Sequence, residues 1–96
     1  MPEMRFFIRW PDGSPESCYS PSLVIKDHLS AGQSYSVRKF VELSRIALRL
    51  ASDRVEAKFG MPCSRALGQL ARIESAARAF EATPEALVLV EHFEDL

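Results

Sequence analysis

Cysteine is scarce in this chain, with two residues, and so is glycine, with four. Two thiols cannot build a disulfide scaffold. In a chain that opens at Met1 without a leader they read as reduced thiols, which predicts a cytoplasmic protein. The opening stretch MPEMRFFIRWPDG carries charges inside its apolar run and has no small-residue cleavage site, unlike a signal peptide. No apolar run approaches the length of a membrane span, so no membrane role is expected. Neither sign of charge is in excess: 12 Lys and Arg face 13 Asp and Glu, a net charge of -1. That balance lacks the electrostatic footprint of a nucleic-acid binder. There is no glycine-rich phosphate loop, no Gly-x-Ser-x-Gly elbow and no His-Glu-x-x-His. No cofactor is implied.

What is present is ordinary globular material. The 96 residues are 47% apolar and 26% charged. A chain of this size forms one domain, residues 1–96, and buries roughly two-thirds of its unfolded surface. Its best-patterned stretch is Ser36 to Phe59. At about 100° per residue, Val37, Val41, Ser44, Leu48, Ala51, Val55 and Phe59 share one face, with Phe40 and Ala47 at its border. Arg38, Glu42, Arg45, Arg49, Asp53 and Glu56 share a solvated face whose opposite charges support one another. Ser36 is a cap at the start, Gly60 a left-handed closing residue, and Pro62 a stop. Leu43, Ile46, Leu50 and Ala57 form a second apolar strip. The third helix of the chain is its expected owner, and a dimer or partner seam is the alternative.

Before this helix, Met4 to Trp10 alternates as a strand with Met4, Phe6, Ile8 and Trp10 on its buried face. Pro11-Asp12-Gly13-Ser14 is a turn, and Glu16 to Ser20 returns as a second strand with Cys18 and Tyr19 on opposite faces. Ser20-Pro21 reads as a cap and first helical position for a short helix, Pro21 to Leu29, with an extended Leu23-Val24-Ile25 as the alternative. Residues 30–34 are a loop. After the central helix, Ser64 or Cys63 caps a helix from Arg65 to about Ala82. Ala66, Leu67, Leu70, Ile73, Ala77 and Phe80 form its inward stripe. The last element, Ala86 to Phe93, is β-rich and apolar on both sides, which predicts a central strand beside Met4 to Trp10. The expected fold is α+β: a three-stranded antiparallel sheet packed on one face by two long antiparallel helices plus a short helix, in the order β-β-α-α-α-β. Its other face exposes Phe7 and part of the last strand, Leu87 and Leu89.

Cys63 is the one catalytic candidate. At a helix N-terminus the dipole favours thiolate, and His28 or His92 could act as its base. A small residue filling a tight corner is the plainer reading. Cys18, His28, Cys63 and His92 lack the close spacing of metal ligands, so no metal is expected. Trp10, Tyr19 and Phe7 could stack a planar ligand, although such residues more often close a hairpin or fill a core. Phe7, Leu43, Ile46, Leu50, Leu87 and Leu89 are the interface candidates.

Three segments carry a family resemblance: RFFIRWPDG at 5–13, CYSPSLVIKD at 18–27, and ASDRVEAKFG at 51–60 with Cys63-Ser64-Arg65-Ala66. Together they resemble a family of small bacterial nitrogen-starvation response proteins. Members of that family are encoded beside a nitrilase, a radical-SAM protein, an acetyltransferase and a flavoprotein. The resemblance implies a cytoplasmic protein with a part in nitrogen metabolism, and no site residues. The expected function is a non-catalytic accessory protein, a homodimer, whose partners are enzymes of such a cluster. The alternative is a small-molecule binder or minor thiol-dependent enzyme using Cys63, with Trp10 and Tyr19 near its pocket.

Overall fold

A computed structural model describes residues 3–96. Strand β1 (Met4–Arg9) and strand β2 (Pro15–Ser20) form the expected hairpin, pairing from Met4↔Ser20 to Arg9↔Pro15. The turn closes as its residues predict. Asp12 accepts from the Ser14 backbone N–H and hydroxyl, and Gly13 takes a φ of 87°. Strand β4 (Leu87–Asp95) lies beside β1, antiparallel, in the central position its two apolar faces predict.

The sheet has four strands, not three. Strand β3 (Ser34–Ser36) pairs with Leu87–Leu89 and completes the order β2-β1-β4-β3. Part of the expected 30–34 loop is therefore strand. Its three residues carry no apolar alternation; the partner backbone makes the strand.

Helix α1 (Val37–Phe59) and helix α2 (Ser64–Ala77) cover one face of the sheet. The caps of α1 stand where the sequence puts them: Ser36 Oγ accepts from the Lys39 N–H, and Gly60 closes the helix at φ 84°. The buried arc of α1 is rotated from expectation. Phe40 and Ala47, expected at its border, are fully buried, while Phe59 at the end is 65% exposed. Phe59, on the last turn, lines a surface depression instead of entering the core. Helix α2 begins at Cys63 as N-cap, and the cysteine side chain makes no capping bond. It ends sooner than its alanines suggest, tightening into a 3₁₀ turn (Arg78–Phe80) that sets Phe80 flat against Trp10.

The short helix is a 3₁₀ helix, Leu23–Asp27, capped by Ser22 rather than Ser20. Ser20 is buried and donates its hydroxyl to the Ser22 carbonyl. Val24 is buried, and Ile25 and Leu29 enter the core beside Met4, Phe6, Ile8, Phe40, Leu48, Ile73, Val88 and Val90. The second apolar strip of α1 also changes owner. Helix α2 meets α1 through Arg45–Glu74 and through Ser52, which accepts from the Cys63 N–H. The 3₁₀ helix meets it through Arg54–Ser22. On a helical wheel Leu43, Ile46 and Leu50 lie on the Arg54 side, roughly 100° or more from Arg45 and Ser52. Leu43 packs on the core, while Ile46 and Leu50 remain 43% exposed. Among the described residues no helix is long and apolar enough to cross a membrane.

Candidate functional site

The first turn of α2 and the end of β2 meet in a depression of about 280 Å³, lined by Glu3, Tyr19, Pro21, Val55, Phe59, Cys63 and Arg65. Its position follows from the chain. Gly60 and Pro62 turn α1 back into α2, and Ser52 anchors that corner by accepting from the Cys63 N–H at 3.0 Å. Arg65, on the first turn of α2, places its guanidinium 3.8 Å from the centre of the Tyr19 ring and 3.6 Å from Glu3. Tyr19 is buried beneath it. Cys18, Tyr19 and Ser20 are buried in succession, Cys18 and Tyr19 on opposite faces as their adjacent register positions require. Burial first, and the Glu3 carboxylate second, push the Tyr19 phenol above its ordinary pKa, against the opposing pull of Arg65.

Two of the candidate residues, Cys63 and Tyr19, thus come together. Trp10 does not join them. It packs edge-on to Phe40 and flat on Phe80, and its Nε1–H donates to Glu16. No histidine lines the depression. His28 Nδ1 donates to the Val24 carbonyl, and His92 stacks on Phe7, so neither suggested base lies in this site. Glu3 and Arg65 line it unforeseen, as nothing in their spacing marks them. A wider hollow lies at the start of α1 between Ser36, Arg38, Lys39 and Glu42. The helix N–H groups there are already taken: Val37 by the Ala86 carbonyl, Arg38 by Pro84 and Lys39 by Ser36.

The interface candidates divide between two surfaces. Leu43, Ile46 and Leu50 lie on α1. Phe7, Leu87 and Leu89 lie on the sheet face that the helices leave uncovered. That face is mixed. Phe7 stacks with His92 at 4.4 Å between ring centres, and Arg9 pairs with Glu91 at 3.0 Å beside them. Leu87, at 59%, is its most exposed large apolar residue.

The family model described as nitrogen starvation-induced protein NitG matches residues 5–93. The chain belongs to this family. No curated protein and no solved structure matches it. The NitG match spans every helix and all four strands except the first residue of β1 and the last two of β4. It includes Tyr19, Cys63 and Arg65 of the depression and both sets of interface candidates. The resemblance in the three sequence segments is therefore that of the whole fold.

Proposed function

We propose that this NitG-family chain is a non-catalytic interaction protein of the nitrogen-starvation response. It works in the cytoplasm as a homodimer and serves enzymes of a nitrilase-type gene cluster. One observation carries the dimer. Both helices lie on the same side of the sheet, leaving Phe7, Leu87 and Leu89 on a face with no covering layer among the described residues. A sheet with one apolar-bearing face open is half of a layered packing. The same face carries both signs of charge, Arg5 and Arg9 against Glu91 and Glu94. A two-fold interface sets one patch against itself, and this patch can answer its own charges.

The test is Leu87→Glu, a substitution at an exposed position. Wild type is expected to sediment as a dimer and L87E as a monomer with an unchanged circular dichroism spectrum. Identical masses for the two contradict the interface. Copurification of tagged protein from nitrogen-starved cells tests the accessory role, and recovery of no cluster enzyme counts against it.

A second reading rests on the juxtaposition of Cys63 and Tyr19 in the depression. There the protein binds a small molecule, with the Cys63 thiol as nucleophile. Alkylation of Cys63 by iodoacetamide no faster than a free thiol at neutral pH argues against the thiol chemistry.

A further inference from the structure

We infer that the outer edge of β4, from Phe93 to Asp95, is a docking site for an extended cationic segment of a partner protein, which adds there as a further strand. The backbone ladder decides which groups of β4 face outward. Val90 bonds with Gly32 and Gln33 on the β3 side. A bulge then interrupts the register between Phe7↔His92 and Ile8↔Val90. Beyond it, Leu96 donates to the Glu3 carbonyl on the β1 side. In an antiparallel pair such bonding alternates residue by residue. His92, Glu94 and Leu96 therefore bond toward β1, and Phe93 and Asp95 aim their N–H and C=O groups the other way.

Nothing meets those groups among the described residues. The chain that supplies β3 lies along β4 only from Gly32 onward, and Gly32, at φ 82°, is where it turns in. The opposite edge of the sheet is blocked at two of its outward positions. On β2, Pro15 has no N–H to offer, and the Tyr19 N–H is capped by Gln69 Oε1 at 2.9 Å. The β4 edge has neither device.

The occupant follows from charge. The edge reads Glu91-His92-Phe93-Glu94-Asp95. Glu91 is held by Arg9, while Glu94 lies 3.4 Å from His92 and opposite Arg5, whose guanidinium donates to Ser17 on β2. On the helix-covered side Lys26 stands 5.8 Å from the centre of the Phe93 ring. A strand added antiparallel, in line with β3, sets one of its residues opposite Glu94 in a non-hydrogen-bonded pair, where side chains stand closest. Lysine or arginine fits there. A second copy of this edge would instead bring carboxylates together. The inference shares the idea of an interaction protein with the proposed function. The dimer is read by mass and the edge by amide signals, so each can fail alone.

The test uses the isotope-labelled full chain and two blocked hexapeptides, (Thr-Lys)₃ and (Thr-Glu)₃, followed by amide NMR at millimolar peptide. The lysine peptide is expected to shift the Phe93 and Asp95 amides saturably, and the glutamate peptide is not. Asp95→Pro removes an outward N–H without touching the β1 ladder and abolishes the shifts. Glu94→Lys, at an exposed position, weakens the lysine peptide at least tenfold and admits the glutamate peptide. No shift at these amides, equal response to both peptides, or unchanged binding by E94K overturns the inference. So does dilution-dependent protection of these amides without peptide, which would assign the edge to a second copy.

Discussion

Trp10 Nε1 donates to Glu16 Oε1 at 2.9 Å, and the other oxygen of that carboxylate lies 3.1 Å from Arg72 Nε. The indole is pinned at the hairpin mouth between Phe40, Phe80 and a charged partner. Glu16→Ala would leave a buried indole N–H unpaired, a loss of about 1–3 kcal/mol. Trp10 is the chain's only tryptophan, so its fluorescence reports on the site directly. The E16A variant should show a red-shifted emission and a lower midpoint in urea. An unchanged spectrum would mean that the carboxylate does not hold the ring.

Ser44 lies in the middle of α1, fully buried, and among the described residues its hydroxyl has no hydrogen-bond partner. An apolar residue of similar size removes that cost. Ser44→Ala is expected to raise stability by about 1 kcal/mol, helped by alanine's helix propensity. Denaturant melts of the two proteins decide it. A loss of stability would reveal a partner for the hydroxyl in solution.

The two thiols should react unequally. Cys18 is sealed in the core, and burial pushes its pKa far above the ordinary thiol range, with Glu16 adding to the rise. Cys63 is half-buried at the corner between the helices. Native protein should therefore take up one equivalent of a thiol reagent rapidly and the second only on unfolding. Labelling of both at the same rate would show that the core opens.

The same burial gives a sign to the pH dependence. Cys18 and Tyr19 both hold their protons to higher pH when folded than when unfolded. Their contribution is complete below the unfolded pKa values and is lost as pH rises beyond them. Asp12 runs the other way. Its bonds from Ser14 hold its carboxyl below the ordinary value. The support it lends the hairpin turn is present above that ordinary value and lost as pH falls through the lowered one. Thermal melts from neutral to alkaline pH should show a falling midpoint, first in the thiol range. Cys18→Ala should melt lower at neutral pH and lose that first part of the slope. A midpoint constant up to the tyrosine range would contradict the account of Cys18.

Much of this architecture is legible in the residues because it rests on local periodicity. Met4, Phe6, Ile8 and Trp10 alternate and are all buried. Ser36 and Gly60 bound α1 through their own cap chemistry. Strand β3 is not legible, since Ser34-Tyr35-Ser36 becomes a strand only by lying against Leu87–Leu89. The owner of the α1 strip was equally hidden. A wheel shows that two apolar faces exist, and only the crossing of α2 over Arg45 and Ser52 says which one it takes. At the candidate site, Cys63 was visible as a helix-start cysteine. That Tyr19 joins it and Trp10 does not depends on which end of the hairpin α2 begins over. Arg65 and Glu3 enter only through that tertiary contact.

Light scattering tests the uncovered sheet face as a dimer interface without any substitution. At high micromolar concentration the protein should scatter with twice the mass of its 96-residue chain. A strict single-chain mass at that concentration would contradict the dimer and leave Phe7, Leu87 and Leu89 facing solvent.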